Sequence, residues 1–312
     1  MTFRSHLQSV LKSGQFAVTS ELAPPRGADP TVVREKASWF KTFVDAVNVT
    51  DNQTAVARMS SLAAAVMLLR EGVEPVWQMV CRDRNRIAMQ SDILGGCGLG
   101  LRNLLCLSGD HPVCGDQPYA RAVFDIDSIQ QIQMVRQMRD EARFLSGDTI
   151  SSPPDMFIGA VANPFASPVQ WRVHRLAKKI RAGADFIQTQ CVFDMARFGE
   201  WICQARDMGL TEKTFIMAGL VPLKSVEMAE YMVRKVPGID IPDAVIRRIK
   251  GVDNPRREEE GIRIACEQIE QLRALDGISG IHLMTINREH KIPEIVERAG
   301  LLPRPRPEGS LV

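Results

Sequence analysis

Eight short β-type runs, each followed by a longer stretch with helical spacing, divide most of this 312-residue chain. The runs span residues 15–21, 44–50, 74–80, 102–107, 156–161, 185–190, 214–219 and 280–285. Start and stop signals separate them. Asp29 before Pro30 opens one helix, 54–71 reads as another that closes on Gly72, and Asp83 opens the next. Ser167-Pro168 starts a helix ending near Gly183, and one from Asp194 closes on Gly209. Eight alternating units in about 300 residues predict a single (β/α)8 TIM barrel over 1–302. An open doubly wound sheet instead calls for a glycine-rich turn just after the first strand, which is absent. Gly95, Gly96, Gly98 and Gly100 precede a strand and read as close helix-to-strand packing.

The balance of the chain narrows its partners. Net charge is +2 with 45% hydrophobic residues, so no charge excess points to nucleic acid or an anionic membrane. No apolar run reaches membrane-spanning length, and no signal-type segment opens the sequence. Seven scattered cysteines without a close pair speak against a disulfide framework or a metal site, and a cytoplasmic location follows as the default. The Pro- and Arg-containing tail, 303–312, reads as flexible.

In a barrel, reacting groups sit at the C-terminal ends of strands, which turns the strand list into a site list. Glu21 comes first, because Pro24 and Pro25 stop the strand and stiffen its exit. A carboxyl there is poised as an acid, although pairing with Arg26 or a backbone amide serves it equally well. The second run ends Asn48-Val49-Thr50-Asp51, the fourth continues into Ser108-Gly109-Asp110, the sixth carries Gln188-Thr189-Gln190, and the eighth leads to Thr285-Ile286-Asn287-Arg288. Five polar ends around one mouth favour a site over separate turns.

The segments SELAPPR, NVTDNQTA, CRDRNR, SGDHP, AGADFIQTQCVFD, AGLVPLKS and LMTINR, spread over nearly the whole chain, resemble the methylenetetrahydrofolate reductases. The likeness is strongest to the branch associated with acetogenic and corrinoid-dependent one-carbon metabolism. It implies a flavoenzyme, with FMN expected and FAD as the alternative, that interconverts 5,10-methylenetetrahydrofolate and 5-methyltetrahydrofolate in either direction. By the same resemblance, Glu21 is the acid for the leaving ring nitrogen, Asp110 lies near both flavin and pterin, and Gln190 hydrogen-bonds the pterin. Thr50, Asp51 and Lys179 match flavin contacts, although Lys179 also reads as a solvated charge in its basic run. Arg288 fits a substrate or cofactor anion, or an ordinary salt bridge. Met228 and Met232 fall where the best-known bacterial members place substrate contacts, at a spacing that also suits core residues. Gln78, Ser108 and Asn163 stand where those members carry flavin-touching histidine, arginine and an aromatic residue, which weakens the flavin expectation.

The implied electron donor is NAD(P)H or an electron-delivering partner protein, and the implied assembly is a homo-oligomer or a complex subunit. Two other readings stay open: a pterin-binding barrel that passes a methyl group to a corrinoid protein, and a folate-binding subunit of a larger complex.

Overall fold

The computed structural model describes residues 5–306. Its strands are β1 (Ala17–Leu22), β2 (Ala46–Val49), β3 (Pro75–Val80), β4 (Asn103–Leu107), β5 (Phe157–Ala162), β6 (Phe186–Cys191), β7 (Phe215–Leu220) and β8 (Gly280–Leu283). They pair in parallel, in chain order, and close β8 onto β1. Each lies within two residues of its expected span. Strands buried on both faces read as continuous apolar runs between turn residues, which is why they are legible in sequence.

The helices are α1 (His6–Lys12), α2 (Thr31–Ala37), α3 (Ser61–Arg70), α4 (Arg86–Gly98), α5 (Ser128–Asp140), α6 (Arg172–Ala182), α7 (Met195–Asp207), α8 (Val226–Lys235), α9 (Asp243–Lys250), α10 (Arg257–Arg273) and α11 (Ile292–Arg298). One expected boundary is corrected. The helix expected from Thr54 begins at Ser61, because Asn52, Thr54 and Ala55 all take positive φ and 53–55 form a tight turn instead. Asn52 holds that turn by accepting from Arg58 N and donating to Asp83. The opening of α4 also differs: Asn85, not Asp83, caps it by accepting from Ile87 N and Ala88 N. Gly96 behaves as expected, since a Cβ there would lie 2.8 Å from the Trp77 ring on β3.

α1 is an addition to the expected alternation. It plugs the N-terminal end of the barrel, with Leu7, Val10 and Leu11 packed on Ala17, Ala46, Val76, Leu105, Phe157, Phe186 and Met217. The Glu74 carboxylate accepts from Ser5 Oγ, His6 N and Leu7 N, satisfying the free amides of the helix start. The described part of the expected tail is tied to the same end. Arg304 donates to Asp45 at 2.5 Å and to Phe16 O and Leu301 O, while Asp45 also accepts from Val18 N. Residues 307–312 of that tail lie outside the described residues.

The barrel interior is layered. Side chains alternate along a strand, so positions two apart share a face. Above the apolar plug, the inward positions become polar: Thr19 then Glu21 on β1, Gln188 then Gln190 on β6, and Asn48 on β2 followed by Thr50 just beyond its end. Apolar layers close one end, leaving the polar end free to bind.

Candidate active site

A cavity of about 530 Å³ opens at the C-terminal ends of the strands. Glu21, Thr50, Asp51, Gln78, Ser108, Asp110, Asn163, Lys179 and Gln190 all line it. The remaining expected residues lie elsewhere. Met228 and Arg288 line a separate pocket of about 20 Å³, room for roughly one water, and Met232 packs among Ile239 and Ile249 in a core between α8 and α9. Arg288 is ion-paired with Glu258 on α10. It reaches that side because Ile286 and Asn287 both take positive φ and turn the chain away from the cavity.

Glu21 is a carboxyl without a partner. It makes no hydrogen bond or ion pair among the described residues, and Arg26, the nearest sequence candidate, pairs with Asp116 instead. Burial raises its pKa from 4.5 to about 7, with the Glu289 carboxylate adding to the rise. Such a shift has a cost. The folded protein holds this proton more tightly than the unfolded chain, so the contribution to stability is full at acid pH and is lost as pH rises through about 7. Glu21→Gln keeps the shape without the charge. It is therefore expected to match wild type in stability below pH 4.5 and to exceed it by about 2–3 kcal/mol above pH 7. Urea unfolding at the two pH values measures the difference, and an equal difference at both would contradict the shift.

Below Glu21, four side chains form a floor, of which Asn48 and Gln188 stood among the expected polar strand ends and Thr19 and His282 did not. Asn48 and Gln188 exchange reciprocal amide hydrogen bonds at 2.7 and 3.1 Å. Gln188 Nε2 also donates to Thr19 Oγ1 at 3.1 Å, and the Thr19 hydroxyl lies 3.3 Å from Ile281 O and 3.0 Å from His282 Nδ1. Burial lowers the His282 pKa to about 3, so the ring is neutral near pH 7. The signal in sequence was present: polar residues at inward, two-apart positions of strands that are otherwise wholly apolar.

Thr50 and Asp51 differ in availability. Thr50 Oγ1 is buried in the cavity wall with no partner among the described residues. Asp51 is engaged on both oxygens, accepting from Ser61 Oγ at 2.9 Å, Val80 N at 3.0 Å and Arg84 at 2.6 Å. Its first visible task is to lock the β2 exit to β3 and α3. Gln78 contributes its side chain to the cavity, while Ser108 donates to Ser128 Oγ at 3.1 Å. Asn163 is held by two loops, donating to Pro237 O after α8 and accepting from Ala166 N in its own. The Asp110 side chain is exposed at the rim, and Arg82 Nη1 fixes its backbone carbonyl. Gln190 Oε1 accepts from Cys191 N, leaving its amide NH₂ for a ligand.

One end of the cavity is cationic. Lys179 on α6 is buried, donates to Val161 O at 2.5 Å, and has its pKa lowered to about 8 by desolvation and by Arg175. Arg175 and Arg172, one and two turns earlier on the helix, line the same end. Sequence reasoning singled out Lys179 alone. The two arginines have the spacing, four and seven residues back, that puts them on one face with it.

A sequence profile of the family described as methylenetetrahydrofolate reductase matches residues 6–300. The 5,10-methylenetetrahydrofolate reductase of Salmonella typhimurium is 22% identical over 93% of this chain and 93% of its own length. A probable methylenetetrahydrofolate reductase (NADPH) of Caenorhabditis elegans is 26% identical over 80% of this chain. The chain spans only 36% of that nematode relative and 52% of a methylenetetrahydrofolate reductase (NADH) 1 from Arabidopsis thaliana. Among solved structures, an uncharacterized protein from Clostridium thermocellum that binds two copies of 5-methyl-5,6,7,8-tetrahydrofolic acid superposes with a TM-score of 0.63. It is 14% identical over 95% of this chain and 98% of its own.

Proposed function

This chain belongs to the methylenetetrahydrofolate reductase family, and we propose that it interconverts 5,10-methylenetetrahydrofolate and 5-methyltetrahydrofolate with Glu21 as its acid–base group. The observation that carries the proposal is the unpaired Glu21 carboxyl in the cavity, raised to about 7. Opening the folate's five-membered ring breaks a carbon–nitrogen bond, and the departing nitrogen needs a proton as it leaves. Glu21 delivers it, and the iminium carbon so exposed accepts a hydride to become the methyl group. In the opposite direction the hydride leaves the methyl carbon, and the Glu21 carboxylate takes the nitrogen's proton as the ring closes. A pKa near 7 serves both directions, since each protonation state is well populated at neutral pH.

The other side chains bind and orient. Gln190 has a free amide and Asp110 a free carboxylate to meet the mixed donor and acceptor edge of a pterin. The floor of Asn48, Gln188, Thr19 and His282 is joined by hydrogen bonds, which fixes the His282 ring at the base of the cavity.

A flavin fits the remaining features. The unpartnered Thr50 hydroxyl offers a hydrogen bond, and Lys179 with Arg175 offers charge for a single phosphate, which favours FMN over FAD. Gln78, Ser108 and Asn163 supply fewer contacts, the last being used by Pro237 and Ala166. When bound, a flavin supplies the hydride or accepts it. The protein as purified, or after incubation with FMN, is therefore expected to carry one FMN. Lys179→Met should weaken that binding by about tenfold or more, because a charged contact contributes about 1.5–3 kcal/mol. Wild-type affinity should also fall as pH rises through about 8, since only the protonated lysine meets the phosphate. Flavin-fluorescence titration measures both, and no FMN uptake by wild type would contradict the assignment.

A further inference from the structure

Arg82 stands two residues past the end of β3, between the exits of β2 and β4, and its side chain is 3% exposed. Its guanidinium reaches both exits. Nη1 donates to Asp110 O at 3.1 Å and Nη2 to Asn52 O at 3.2 Å, while Nε and Nη2 hold the Asp83 carboxylate at 2.7 and 2.6 Å. Asp83 in turn accepts from Asn52 Nδ2 at 3.1 Å, which closes a ring of bonds.

The backbone is shaped to meet this fork. Gly109 takes φ +86°, and a Cβ there would lie 3.0 Å from Val80 Cβ and 3.2 Å from Arg82 Cβ, so glycine lets the β4 exit fold down over the arginine. On the other side Thr54 and Ala55 hold positive φ, a conformation such residues keep only where their surroundings fix it. The Asn52 carbonyl that Arg82 grips also accepts from Ala55 N, so one acceptor serves both the turn and the tie.

We propose that Arg82, held by Asp83, is a positioning residue that sets the spacing of Asp110 and the β2 exit turn across the cavity mouth, and with it the fit of the folate. The proposal rests on the reading of Asp110 as a pterin contact. A planar fork with fixed donor directions holds two carbonyls and a carboxylate at once, which the point charge of a lysine does not. Asp110, Asn52, Gln53 and Thr54 all line the cavity, so a shift of either exit moves groups that face a ligand. Asp83 is not part of that lining. Its effect on a ligand therefore travels through the groups it holds, Arg82 and Asn52.

The test is a double-mutant cycle on 5-methyltetrahydrofolate binding, with Arg82→Lys and Asp83→Asn each made in wild type and in Asp110→Asn. In wild type each should weaken binding about five- to tenfold, and in Asp110→Asn less than about twofold, because the contact that Arg82 positions is then already lost. Asp83→Asn changes a side chain that is 32% exposed, and it covers an Arg82→Lys protein that does not fold. In ligand-free Asp83→Asn, hydrogen exchange at Ala55 and Cys114, whose amides close the two exit turns onto Asn52 O and His111 O, should quicken together. No loss of folate binding in wild type, or equal losses in both backgrounds, would leave Arg82 a scaffold group or a direct ligand contact and overturn the proposal. Unchanged exchange at both amides would overturn it as well. Folate binding in Asp110→Asn equal to wild type would instead defeat the reading of Asp110, while the exchange still reports whether Arg82 ties the two exits.

Discussion

Glu21→Gln is expected to slow the folate step by about 10²–10⁴-fold, the range that a positioned proton donor contributes, while flavin binding stays within twofold of wild type. The substitution keeps the side chain's size and leaves the cavity floor untouched, because Glu21 makes no hydrogen bond to it. Its effect on stability, worked out above, runs in the opposite direction at neutral pH. A cost in stability together with such a loss of rate is the expected mark of a residue kept for chemistry. Single-turnover kinetics with methylenetetrahydrofolate, alongside an FMN titration, separate the two effects. Equal losses in both would mark Glu21 as a structural residue.

Asp51→Ala is expected to destabilise the fold by about 1–3 kcal/mol, the cost of leaving a buried donor without its acceptor. The side chain is 1% exposed and its two oxygens serve Ser61, the Val80 amide and Arg84, whose own side chain is 15% exposed. Removing it takes an acceptor from the Val80 amide and one of two carboxylates from Arg84, which keeps Asp92, while Ser61 Oγ keeps the Gln78 carbonyl. Thr50→Val, one residue earlier, removes a hydroxyl that has no protein partner and is expected to leave stability nearly unchanged. Thermal unfolding of the two variants side by side distinguishes these tasks. A stable Asp51→Ala protein that binds FMN poorly would assign Asp51 to the cofactor rather than the scaffold.

The fold was legible because parallel strands buried on both faces leave an unbroken apolar imprint, and prolines and glycines punctuate it. The expected helix from Thr54 failed where backbone conformation, not side-chain pattern, decides: Thr54 and Ala55 adopt positive φ, which their residue types do not announce. α1 carries an ordinary apolar stripe, but only the closed barrel shows that this stripe fills its lower end. Within the cavity, residues next to strand ends were legible from topology alone. His282 was not, because a histidine inside an apolar strand declares its role only once Thr19, Gln188 and Asn48 are seen around it. Arg288, Met228 and Met232 show the converse. Their sequence neighbourhood matches the site, yet the turn at Ile286 and Asn287 and the packing of α8 direct them elsewhere.

The most direct test of the account is an anaerobic titration of the FMN-loaded protein with 5-methyltetrahydrofolate, followed by flavin absorbance and by analysis of the folate product. The account predicts loss of the oxidised-flavin absorbance with formation of one methylenetetrahydrofolate per flavin, faster above pH 7 than below it because Glu21 must then act as the base. Binding of methyltetrahydrofolate with the flavin unchanged and no methylenetetrahydrofolate formed would contradict it, and would make this barrel a folate carrier or a methyl-transfer partner instead.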